Sequence, residues 1–293
     1  MIKYVLHKDL DIIKYDNCIA SSINSRIYAF SWYLNCVADN WDVLVYGDYE
    51  AVMPLPIRKK YGIFYIYLPP WVQQLGVFSQ FAINKDEIHG FLTEIPRKYK
   101  LIDVNFNSEN KFQNKYITPK DNYFLKLKDS YPSIRLKFSQ SRKAQINQAS
   151  RYKLLIVEND EIESLIEIFK NNKEKEIGKS IFDFSSLKNL VKELQSKNKV
   201  KILYVTTENK EILGGAIFVF DERRITYLFS SINKEGRSKQ AMSFLINHMI
   251  QINANSGLVF DFEGSIIKEI ANFFKSFGAT KEVYYNFNQK KLL

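Results

Sequence analysis

Residues 224–279 constrain the fold most: RITYLFSSINKEGRSKQAMSFLINHMIQINANSGLVFDFEGSIIKEIANFFKSFGA. A strand ending in Ser-Ser-Ile, a basic loop (NKEGRSKQ), a helix, the strand GLVFDF and the amphipathic helix IIKEIANFFKSF follow one another without a spacer, and a Phe-Gly closes the run. Strands alternating with helices argue for α/β layering. The order also sets a helix N-terminus opposite a strand end, where unpaired N–H groups and a glycine form a cradle for phosphate or pyrophosphate. The candidate cradle is Ser231, Asn233, Gly236, Arg237, Ser238, Lys239 and Gln240. Taken alone, a basic glycine-containing turn is more often a solvated connection.

The rest of the chain supplies a second block of the same kind. Helical stretches near 9–20 and 30–38 lead to strands in WDVLVYGDYEAVMPLPIRKKYGIFYIYLPP, the helix NKDEIHGFLTEI and the strand LIDVNFN. The pattern restarts after Asp129 with the basic helix FSQSRKAQINQAS, the strand KLLIV, two helices and three strands. The expected fold is therefore α/β, with two domains, 1–130 and 131–293, each a mixed sheet flanked by helices. With 293 residues, 46% of them hydrophobic and 15% aromatic, two ordinary cores can be filled.

Charge narrows the class of partner. Forty-two basic and 32 acidic residues give +10, which favours an anionic partner. Six of the basic residues lie between Arg135 and Lys153 with no acid among them. On that helix Arg142 beside Gln140, Gln145 and Gln148 is a candidate for holding phosphates of a nucleotide-linked acceptor or of a tRNA backbone. No aromatic residues interleave to read bases, so sequence-specific DNA binding is not expected. Cys18 and Cys36 are too few for a disulfide framework, and the N-terminus carries acids where a signal peptide would be apolar. No apolar run approaches the ~18 residues of a membrane span, so a cytoplasmic protein without a transmembrane segment is expected. His7, His89 and His248 are isolated, so no metal site is expected.

Two further groups are candidates for chemistry. Asp261 and Glu263 are two apart at a strand end and project from one face, where a carboxylate can take a proton from an attacking amine. The alternative is that Asp261 caps the turn and Glu263 is a solvated acid at a helix start. In the first half Trp71, Gln73 and Gln74 follow a Pro-Pro that fixes an extended backbone. Two amides and an indole there can line an acceptor groove, and turn packing explains them nearly as well.

Several of these segments resemble one family. Asn233-x-x-Gly236-x-Ser238 is similar to the Gln/Arg-x-x-Gly-x-Gly/Ala donor loop of GNAT acyltransferases. FDFEGSIIKEIANFFKSFGA resembles the YDFxG…LxxFKxxFG ending of the FemAB-like peptidyltransferases, which are built from two GNAT-like domains. SRKAQINQASRYKLLI resembles that family's Arg-x-x-(Ile/Leu)-x-x-Ala helix, and FSWYLNCVADNWDVLVYGDYEAVMPLPIRKKYG resembles the N-terminal domain of its bacterial members. The resemblance implies an acyltransferase with no permanently bound cofactor. It implies acyl-CoA or aminoacyl-tRNA as co-substrate and a small-molecule or peptide amine as acceptor, a cell-wall precursor among the candidates. It places Phe274 where ordinary GNAT enzymes carry a tyrosine that protonates the leaving thiolate; a phenyl ring cannot donate a proton. It assigns Lys275 the role of stabilising charge on the reacting acyl group, against the ordinary reading of a lysine complementing the helix dipole. The alternative function is a catalytically inactive GNAT-fold protein that binds an anionic, nucleotide-linked ligand.

Overall fold

The computed structural model describes residues 1–173, 183–264 and 267–290. The chain packs into two compact units, Met1–Lys120 with Val283–Leu293, and Asp121–Glu282. The expected boundary at 130/131 therefore moves to 120/121, and the chain's end rejoins the first unit. The cause is strand pairing, which the local pattern does not reveal. A strand that begins before the boundary pairs within the second unit, and the last strand pairs within the first.

The first unit's strands are β1 (Ile2–Val5), β2 (Asn40–Tyr46), β3 (Ala51–Lys60), β4 (Ile63–Ile66), β5 (Phe78–Ser79) and β6 (Tyr99–Phe106), with helices α1 (Ile12–Ser21), α2 (Ser31–Val37) and α3 (Lys85–Thr93). Continuing along the chain are β7 (Ile117–Lys126), α4 (Tyr131–Leu136), α5 (Gln140–Ala149), β8 (Leu155–Asn159), α6 (Glu163–Lys173), α7 (Phe184–Ser196), β9 (Val200–Thr206), β10 (Ile212–Phe220) and β11 (Arg224–Ile232). Then come α8 (Lys234–Ser238), α9 (Ala241–Ile252), β12 (Val259–Asp261), α10 (Lys268–Lys275) and β13 (Thr280–Lys290). The sequence periodicity places α2, α3, α5 and β8 correctly to within two residues at most of their ends. The start of the predicted helix IIKEIANFFKSF, and part of the segment holding the two helices predicted after KLLIV, lie outside the described residues.

Within the first unit the order is β1-β2-β3-β4-β6-β13, with β5 beside β3. All pairs are antiparallel except β4 and β6. Within the second the order is β7-β12-β11-β10-β9-β8, and there, among the described residues, β11 and β12 form the one parallel pair. Both sheets thus follow one plan: an antiparallel meander, a parallel pair, and an antiparallel strand from a distant part of the chain. In the second unit the core lies under α9 and α10. It is filled by Phe218, Phe260, Phe262, Phe274, Phe277, Leu245 and Met249.

Candidate functional site

The parallel pair of the second unit does not stay paired. β12 meets only Arg224, Ile225 and Thr226 of β11, through Val259, Phe260 and Asp261. From Tyr227 to Ile232, β11 keeps β10 on its other edge and has no β12 residue opposite it. A strand edge of this kind offers backbone N–H and C=O groups to a ligand lying alongside.

At the end of β11 the expected loop is partly helical. Asn233 caps the five-residue α8, its Oδ1 accepting from the Gly236 N–H at 2.7 Å and its Nδ2 donating to the Ile212 carbonyl at 3.0 Å. Gly236 is demanded by packing, because a Cβ there would lie 2.5 Å from the Leu213 carbonyl oxygen of β10. The glycine brings backbone close to backbone, and its proposed ligand role is not required to explain it. Arg237 donates to Asn172 Oδ1 (2.7 Å) and the Ile232 carbonyl (3.3 Å), while Asn172 in turn bonds Ser231 Oγ at 3.4 Å. Ser238 donates to the Glu235 carbonyl, and Lys239 pairs with Glu235 at 2.7 Å. The polar side chains of the loop are thus largely engaged with the loop itself and with α6.

The backbone is what remains open. Gln240 takes the left-handed conformation (φ +58°) and breaks the chain from α8 into α9. The first backbone hydrogen bond of α9 runs from Phe244 N to the Gln240 carbonyl, so the amides of Ala241, Met242 and Ser243 have no helical acceptor. Arg142 stands beside this terminus. It is 5% exposed, its Nη1 donates to Ser243 Oγ and its Nε donates to Ser276 Oγ at 2.8 Å. Its guanidinium carbon lies 4.3 Å from the Phe273 ring centroid and 4.7 Å from that of Phe277. No carboxylate pairs with it among the described residues, and burial pulls it down to about 10, which leaves it charged at neutral pH. A buried cation without a counter-ion, next to the open amides of a helix start, is a ready receptor for an anion.

The carboxylates of DFEG serve the fold. Asp261 is 2% exposed; its Oδ2 accepts from Arg224 Nη1 at 2.7 Å, and its Oδ1 accepts from Asn122 Nδ2 and the Glu263 N–H, both at 3.0 Å. Glu282 completes the cluster, 3.6 Å from Arg224 Nη2 and 3.1 Å from Asn122 Nδ2. Burial lowers the Arg224 pKa, and Asp261 and Glu282 more than reverse it. Both oxygens of Asp261, the candidate base, are thus engaged by Arg224, Asn122 and the Glu263 N–H. Glu263 is half-buried with φ +54°, the strained residue of the turn, and Gly264 follows because a Cβ there would collide with the Asp121 carbonyl.

Phe274 is also a packing residue, 5% exposed against the rings of Tyr123, Tyr227, Phe262 and Phe273. Lys275 is exposed, its Nζ 5.4 Å from the Tyr123 ring centroid, and it makes no ion pair among the described residues. The sequence reading missed Tyr227. Its ring lies 6.3 Å from that of Phe274, its hydroxyl faces Met242 Sδ at 3.1 Å, and burial raises its pKa well above that of a free phenol.

Trp71, Gln73 and Gln74 belong to the first unit. Gln74 is fully buried, donating to Gln73 Oε1 (2.7 Å) and accepting from the Ser108 N–H (3.2 Å), and the Trp71 and Gln73 carbonyls accept from Tyr33 and Asn105. Trp71 itself is left-handed, φ +63°. The interior position of Gln74 removes it from an acceptor groove; it holds the segment against the end of β6.

Residues 137–273, which include Arg142, the splayed strands and α9, match the acetyltransferase (GNAT) domain family. They form a GNAT domain. The matched residues lie wholly inside the second unit. Both units take part in the fold likeness to solved structures. FemX matches with a TM-score of 0.71 at 14% identity, over 97% of this chain and 96% of FemX. L-PGS from Bacillus licheniformis matches at 0.56 and 12%, over 96% and 92%. A tandem GNAT protein from the clavulanic acid biosynthesis pathway matches at 0.54 and 8%, over 98% of both chains. No curated protein sequence matches the chain. The fold is thus the FemAB-like tandem GNAT arrangement, and among the described residues no helix is long and apolar enough to cross a membrane.

Proposed function

We propose that the protein is an N-acyltransferase whose second unit holds a phosphate-bearing donor, acyl-CoA or aminoacyl-tRNA, and passes the acyl or aminoacyl group to an amine. The observation that carries this reading is the strand splay after Thr226, which leads to the open amides of α9 beside the buried, carboxylate-free Arg142. A donor lying along the free edge of β11 can place a phosphate at the α9 terminus, where helix dipole and guanidinium act together. Acceptors to test first are peptide amines, including those of cell-wall precursors.

In the transfer the amine nitrogen bonds to the acyl carbon, and the donor's thiolate or alkoxide leaves and needs a proton. Phe274 has none to give. Tyr227, packed against Phe274 and held neutral by burial, is the group we assign to supply it. Solvent takes the surplus proton of the new amide nitrogen and restores the phenol. The test is transfer of a labelled acyl group from acyl-CoA, and separately from charged tRNA, to a panel of amines, followed by mass spectrometry. Tyr227→Phe should lower kcat by about 10²-fold with donor affinity retained. An unchanged kcat would remove Tyr227 from the mechanism. Donor binding without transfer to any amine would favour a non-catalytic binding protein, a reading supported by the engaged side chains of the donor loop.

A further inference from the structure

The hairpin joining β3 and β4 carries residues that the fold does not ask for. Lys60 and Ile63 are paired across it, so Tyr61 and Gly62 alone form the turn, and both are left-handed, at φ +50° and +80°. Two consecutive positive φ angles are the type I′ pattern, which favours Asn-Gly. A bulky residue at the first position is a steric misfit. Tyr61 is also 91% exposed, so no packing offsets the misfit. Beside it Ile63 and Phe64 are 41% and 39% exposed. Lys59 and Lys60 flank the tip, their ammonium groups 4.9 Å from the Phe64 ring and 5.4 Å from the Tyr61 ring. Phe64 also lines a cavity of about 340 Å³ together with Lys8 and Lys98. Among the described residues none of these four lysines has an ion-pair partner. The cavity's carboxylate, Asp42, is 5% exposed and accepts from the Tyr4 hydroxyl and the His7 N–H.

We infer that this tip docks the protein on an anionic lipid bilayer. The four lysines match headgroup phosphates, and Tyr61, Ile63 and Phe64 enter the interfacial layer, where aromatic side chains settle with the ring apolar and the hydroxyl wet. A convex two-residue turn wedges into a bilayer surface. Single-stranded nucleic acid instead needs a groove with planar stacking faces, and an exposed isoleucine contributes nothing to stacking.

The test is co-sedimentation of the full chain with phosphatidylcholine vesicles with and without phosphatidylglycerol. Binding is expected only to the anionic vesicles and should weaken as salt is raised. Tyr61→Asn separates docking from folding: it suits the turn better, so the melting temperature should hold or rise while vesicle binding falls several-fold. Lys59→Glu with Lys60→Glu should abolish sedimentation. Failure to bind anionic vesicles at low salt, or undiminished binding of Tyr61→Asn, would overturn the proposal. Binding of uncharged tRNA through the same residues in place of vesicles would do so too.

Discussion

Asp261→Ala should destabilise the second unit by about 3–5 kcal/mol, the usual cost of removing one partner of a buried ion pair and stranding the other. The pair is well shielded: the Arg224 and Asp261 side chains are 14% and 3% exposed. Glu282, at 3.6 Å, is too far from ideal contact to replace Asp261 fully. Urea unfolding of Asp261→Ala and Asp261→Asn measures the loss, and the asparagine variant, which keeps hydrogen-bonding atoms, should lose less. A fully folded Asp261→Asn protein with wild-type stability and no turnover would instead return Asp261 to the role of a base.

Lys275→Met should lower the chemical step by roughly 10²-fold or more if its ammonium faces charge developing on the acyl oxygen, while donor affinity stays near wild type. Methionine keeps most of the stem over Tyr123, so the comparison isolates the charge. The helix-end contribution of the lysine is only a few tenths of a kcal/mol, and a melting curve separates that loss from the kinetic one. A wild-type rate in the methionine variant would leave Lys275 as a helix-end cation.

The layering, the helix that carries Arg142 and the strand–helix order after residue 224 were legible because hydrophobic periodicity and caps are local properties. So was the basic character of the region, from the +10 charge and the acid-free run at 135–153. What the sequence does not display is who pairs with whom. The partners of β7 and β13 move the boundary by about ten residues and return the chain's end to the first unit. The same blindness governs the site. The sequence marks Asp261 as a candidate base but does not display Arg224, 37 positions away, bonded to it. Gly236 looks like a ligand contact until the Leu213 carbonyl is found against it. Tyr227 carries no local mark at all, being one aromatic in a hydrophobic strand; only its position against Phe274 and Met242 singles it out. Arg142 was legible as a cation, but its burial without a carboxylate depends on Ser243 and Ser276, about a hundred residues or more further along.

The central claim is that a phosphate-bearing donor binds at the start of α9 against Arg142. Calorimetric titration of the wild-type protein and of Arg142→Met with coenzyme A, an acyl-CoA and a charged tRNA tests it directly. Burial pulls the Arg142 guanidinium down to about 10, so its charge should be constant from about pH 6 to 8. The account predicts saturable binding of one donor class by the wild-type protein, at least tenfold weaker in Arg142→Met, whose fold should survive because a desolvated, unpaired cation is replaced by an apolar chain of similar length. Binding of equal strength in a well-folded Arg142→Met protein, or no binding of any of these ligands to the wild type, would contradict it.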